Sequence, residues 1–123
     1  MAVFWICMGA VLGALGRFGL QKGLSLVFPS LPLGTTVANS LGCLLIGVFG
    51  AHIMNHGDHF KLFFFTGLLG SLTTLSSLQF ETFTLIQEAR YLAAFTHWFL
   101  GAVAGFAFVL LGYAMGQKLS GLV

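Results

Sequence analysis

The chain has 123 residues and a net charge of +2, and it is 58% hydrophobic and only 7% charged, against about 25% charged in a typical soluble domain. A mean hydropathy of +0.99 points the same way. This describes one integral membrane domain over residues 1–123 with no soluble module, and five basic residues leave no surface for nucleic acid.

A first span covers about residues 2–20, long enough to cross a bilayer at roughly 20 residues per helix. It has no basic n-region, and its apolar run passes any plausible cleavage point, so it is read as a span rather than a cleavable signal peptide. Gly9 and Gly13 stand four apart, as do Ala10 and Ala14, the spacing at which small residues let helices approach closely in lipid. Arg17 near the end either snorkels to the headgroups or faces a polar vestibule. Gln21 and Lys22 mark the exit from the bilayer, and residues 23–33, with Pro29 and Pro32, form a connector.

A second span covers about 34–54. Thr35, Thr36, Asn39 and Ser40 cluster in its first third. An asparagine inside a span must satisfy two N–H donors and a carbonyl acceptor. It serves as interhelical glue or aims an N–H at a passing anion. Gly42, Gly47 and Gly50 predict close packing against neighbours. His52, Asn55, His56, Gly57, Asp58 and His59 then make a polar loop. His52 and His56 have helical spacing for a metal pair, but no cysteine stands with them and loop histidines are ordinarily solvated. Cys7 and Cys43 lie in apolar stretches and read as small buried residues.

The third span, about 60–88, is the unusual one. After Phe63, Phe64 and Phe65 come Gly67, Gly70, Ser71, Thr73, Thr74, Ser76 and Ser77, with Glu81 just beyond. Glycine weakens a helix, and hydroxyls offer the backbone competing hydrogen bonds. Irregular backbone at membrane depth survives only where protein buries it or it lines a wet cavity. The pattern predicts a helix broken over 67–74, followed by a half-helix that lines a permeation path. Glu81, if it lies deep, needs a partner. A fourth span covers about 93–116, with Gly101 and Gly105, and Gly112 and Gly116, at packing spacing. His97, Trp98 and Tyr113 read as interfacial belt residues.

Four spans put both termini on one side of the membrane. Lys61 and Lys118 then fall on one side and Arg17, Lys22 and Arg90 on the other, too even a split to fix orientation. The inference is dual topology, with two copies paired antiparallel about an axis in the membrane plane, as in inverted-repeat transporters. Four helices are too few to enclose a pore alone. No Ser/His/Asp set or metal constellation is spaced for chemistry, so an enzyme is not expected.

Gly9-x3-Gly13-x2-Gly16-Arg17-Phe18, Gly34-Thr35-x3-Asn39-x2-Gly42-x4-Gly47, Gly67-x2-Gly70-x2-Thr73-Thr74-x-Ser76-x4-Glu81 and Gly112-Tyr113-x2-Gly116 occur in order along the chain. Together they resemble the Fluc/CrcB fluoride channels over essentially the whole length. The resemblance implies an all-α fold of four transmembrane helices with a broken third, assembled as an antiparallel homodimer with two pores in the bacterial inner membrane. It implies passive fluoride export and a structural Na⁺ at the dimer interface, held by the backbone carbonyls of Gly70 and Thr73. Asn39, Ser76 and Ser77 map onto the family's pore groups, Thr35 and Glu81 onto a vestibule, and Arg17 onto an entrance. At two positions the chain departs. Leu75 and Leu78 stand where the family usually has phenylalanines whose positive ring edges face the anion. A non-conducting or weakly conducting partner subunit is therefore the alternative reading. A small multidrug-type transporter is disfavoured, because the first span carries no acid.

Overall fold

The computed structural model describes residues 1–53 and 56–121. Met54, the expected end of the second span, and Asn55 of the polar loop lie outside them. Helix α1 is Ala2–Val27 and α2 is Leu33–Ile53. Helix α3, residues 58–72, begins α-helical, is wound as a π-helix over Leu62–Leu69 and ends α-helical at Leu72. After a break at Thr73 and Thr74 comes α4, Leu75–Gln87. Helix α5, Tyr91–Gly121, carries a π-wound turn over Leu100–Ala104. Among the described residues, four stretches are long and apolar enough to cross a membrane, the third being α3 and α4 together.

Helix α1 runs past the expected end of the first span, through Gln21 and Lys22 to Val27, and the connector shrinks to residues 28–32. Nothing between Leu20 and Val27 breaks a helix except Gly23, and one glycine costs only about 1 kcal/mol. Pro29 and Pro32 are what set the end, because a residue before proline is pushed out of helical backbone.

Glycines set how the helices meet. A Cβ on Gly9 would run into the Phe63 carbonyl oxygen, one on Gly13 into the Leu68 carbonyl oxygen, and one on Gly67 to within 2.5 Å of the Ile6 carbonyl oxygen. Helix α1 therefore lies backbone to backbone on the π-wound part of α3. The same device joins α2 to α5. Gly47 abuts the Val109 carbonyl, Gly112 the Leu44 carbonyl, and Gly116 the Val48 carbonyl. In lipid, where no hydrophobic effect drives helices together, such close approach supplies the van der Waals attraction. A small core of Ala38, Leu69 and Leu72, with Phe64, Phe65 and Leu68 packed on it, ties the two pairs. The outward faces carry large apolar residues such as Phe4, Leu15, Leu92 and Phe106, all exposed. That is the surface a bilayer covers.

The break is narrower than the sequence predicts. Gly67 and Gly70 stay helical, since their lack of a side chain serves packing and not an unusual dihedral, and among the described residues no glycine has positive φ. Within the expected break, only Thr73, with φ −89° and ψ 149°, and Thr74, with φ −152° and ψ 120°, are extended.

Candidate functional site

The break is held by side chains from α2. The Thr74 N–H donates to Asn39 Oδ1 at 2.8 Å, and Asn39 Nδ2 donates to the Thr74 carbonyl at 3.1 Å. The asparagine amide thus pairs with Thr74 as a neighbouring strand would, satisfying both backbone groups that the extended conformation orphans. One helical turn on along the same face, Gly42 leaves room for the Thr73 methyl, which would collide with any Cβ there. Thr74 then starts α4. Its Oγ1 accepts from the Ser77 N–H at 3.3 Å, an N-cap, and donates to Ser77 Oγ at 3.3 Å. Ser76 Oγ lies 3.2 Å from the same hydroxyl.

This pinning redirects donors from two carbonyls. In a continuous helix the Gly70 carbonyl would accept from the Thr74 N–H, and the Thr73 carbonyl from the Ser77 N–H. Here those donors go to Asn39 Oδ1 and to Thr74 Oγ1, while the Thr73 N–H donates to the Leu69 carbonyl. Freed carbonyl oxygens are hard ligands of the kind that suit a hard cation. The donor set at Gly70 and Thr73 therefore fits a Na⁺ ion.

Two clefts receive most of the expected site residues, but Ser76 and Ser77 line neither. One, about 370 Å³, is lined by Asn39, Gly70, Thr73, Thr74, Leu75 and Leu78, with Phe65 and Gly101. The two leucines behave differently. Leu75 is 67% exposed, whereas Leu78 is 1% exposed and fills the space left by Gly101. The second cleft, about 550 Å³, is the more polar of the two, with Gln21, Thr35, Glu81, Glu88 and Arg90 beside apolar residues such as Pro29, Leu85 and Phe80. Arg17 lines neither cleft and makes no ion pair among the described residues.

From the wall of the second cleft, at Gln21, Thr35 and Glu81, a polar chain that the sequence reading did not assemble runs into the protein. Gln21 Nε2 donates to Thr35 Oγ1 at 3.0 Å, and Thr35 Oγ1 donates to Glu81 Oε1 at 2.7 Å. The other carboxylate oxygen, Oε2, lies 3.1 Å from His97 Nε2, and His97 Nδ1 lies 3.1 Å from Thr36 Oγ1. The chain links α1, α2, α4 and α5. His97 is only 6% exposed, so it is not the interfacial belt residue expected. The signal was available: an acid at membrane depth needs a partner, and His97 is the one histidine, lysine or arginine within the expected fourth span. Tyr113, by contrast, is exposed and its hydroxyl accepts from Gln117. At the opposite end, the His52 ring faces the Gly116 carbonyl and Ser120, and the His56 ring faces the His52 carbonyl.

Comparison with known proteins identifies the lineage. A family model described as CrcB-like protein, Camphor Resistance (CrcB), matches residues 4–113. The chain belongs to the CrcB family. Three relatives, each named fluoride-specific ion channel FluC, indicate how close it stands. That of Desulfotalea psychrophila is 35% identical over 120 residues, covering 96% of this chain and 94% of the relative. That of Pasteurella multocida is 45% identical over 94 residues, 74% and 73% of the two chains. That of Helicobacter pylori strain P12 is 33% identical over 123 residues, 96% and 95%.

Proposed function

We propose that this CrcB-family chain is a fluoride channel, a multi-pass protein of the bacterial inner membrane that carries F⁻ out of the cell passively. The observation that carries the reading is the pinned break in the third span. It turns hydroxyls and one amide toward a cleft while the rest of the chain is built for lipid. The relatives named as fluoride-specific channels support the choice of ion.

Fluoride is small, hard and strongly hydrated, so it needs compact donors at close range. Asn39 commits its oxygen and one N–H to Thr74, which leaves its second N–H to donate. Ser77 accepts from Thr74, so its own proton is available, and Ser76 stands beside it. Thr35 and Glu81 line the vestibule. Leu75 and Leu78 give the path an aliphatic wall, and narrowness with donor geometry rejects chloride. HF crosses membranes and dissociates in a neutral cytoplasm. The inside-negative potential then drives the anion outward with about 2.3 kcal/mol per 100 mV.

The working unit in this reading is an antiparallel homodimer, because the cleft that holds Asn39 and Leu75 opens to the outside of the single chain and needs a second wall. A bound Na⁺ at the carbonyls of Gly70 and Thr73 would add fixed positive charge at the centre of such a dimer. A second reading rests on Leu75 and Leu78, which offer no aromatic edge: the chain would serve as partner to a paralogous subunit. Expression in a bacterium stripped of its own fluoride exporters separates the two. Growth in fluoride restored by this chain alone supports the channel, and no restoration without a paralogue rejects the homodimer.

A further inference from the structure

We infer that His97 is a positioning residue that sets the charge of the vestibule, so that anion conduction by this chain rises as the pH falls. The inference rests on the channel reading above. A carboxylate on the wall of an anion path is a paradox, since it repels what must pass. Here both oxygens of Glu81 are tied, Oε1 by Thr35 at 2.7 Å and Oε2 by His97 at 3.1 Å. The His97 side chain is 5% exposed and that of Glu81 is 25% exposed. The anion meets the carboxylate and not the imidazole.

The network fits either protonation state of the ring without moving a heavy atom. When His97 is neutral, Nε2–H donates to Glu81 and Nδ1 accepts from the Thr36 hydroxyl. When it is protonated, Nδ1–H donates and the Thr36 oxygen accepts, which needs only rotation of a hydroxyl. The Glu81–His97 pair thus changes from net −1 to net zero on taking up one proton. The other groups near the ring do not compensate. Helix α4 brings only Glu81 to it, and α2 brings the uncharged Thr36. Glu88 and Arg90, at the rim of the same cleft, pair with each other at 3.5 Å. Gln21 of α1 acts through Thr35 and carries no charge.

The test is fluoride efflux from liposomes holding the purified wild-type protein, at symmetric pH from 5 to 8, the range in which histidine changes charge. Efflux is expected to rise roughly fivefold toward low pH, the size expected for removing one screened unit charge beside the path. His97→Gln keeps a donor for Glu81 but cannot take up a proton. It is expected to conduct at the high-pH rate throughout. The exposed pair His56→Gln and His59→Gln, at the other end of the molecule, is expected to keep the wild-type profile. A flat wild-type profile, or a His97→Gln profile that still rises, overturns the inference and leaves the channel reading standing. No fluoride efflux at any pH overturns both.

Discussion

The two halves of the third span are held in opposite ways. Helix α3 is fixed by absence: Gly9, Gly13 and Gly67 remove side chains so that its backbone touches that of α1. Helix α4 is fixed by presence: Asn39, Thr74, Ser77, Thr35 and His97 each place a polar atom on a neighbour. The first mode suits a segment whose task is to stay put. The second leaves hydroxyls, an amide and a carboxylate on the walls of two clefts. The two modes meet at Thr73 and Thr74, where the chain is extended.

The largest effect is expected where α1 meets α3. Gly9→Ala would drive a methyl into the Phe63 carbonyl and to 2.7 Å from the Leu68 nitrogen. Both are backbone atoms that cannot turn aside. We expect a loss of about 3 kcal/mol, at the upper end for overpacking, seen as a large drop in the melting temperature of the detergent-solubilised protein. An unchanged melting temperature would mean that α1 and α3 do not meet at their backbones.

Asn39→Ala comes next. It strands the N–H and the carbonyl of Thr74, and an unsatisfied buried group costs about 1–3 kcal/mol. We expect a loss of about 2 kcal/mol in thermal unfolding, together with loss of most fluoride flux. Asn39→Asp keeps the acceptor for the Thr74 N–H, so it should regain part of the stability; equal losses in the two variants would show that the amide oxygen does not hold the break.

The smallest effect lies where α4 ends. Ala89 adopts φ 58°, a left-handed conformation that costs a residue with a side chain roughly 1–2 kcal/mol. The turn it makes lets the Arg90 N–H reach the Leu85 carbonyl at 2.9 Å, the usual work of a glycine after a helix. Ala89→Gly should stabilise the protein by about 0.5–1 kcal/mol, after allowing for the greater freedom of glycine when unfolded. A lower melting temperature would contradict that conformation.

Much of this architecture is legible in the residues. Hydropathy marks four spans, and glycines at helical spacing mark where helices touch, as Gly112 and Gly116 do against α2. The hydroxyl cluster after Gly70 signals a break. What is not legible is which of several polar residues hold it. Asn39 and Thr74 are 35 residues apart, and no local spacing pairs them. The same clustering made the break look wider than it is, because Gly67 and Gly70 read as helix breakers while the fold uses them for close packing. His97 was hidden by its neighbour Trp98, which gives the segment the look of a membrane-interface belt, whereas the unpaired acid at Glu81 was the better guide.

The most direct test of the account is ion flux from liposomes containing the purified chain alone, loaded with fluoride or with chloride, with the charge balanced by a potassium ionophore. Rapid fluoride efflux is expected, with no chloride efflux above that of empty liposomes. Equal release of the two anions, or release of neither, would contradict it.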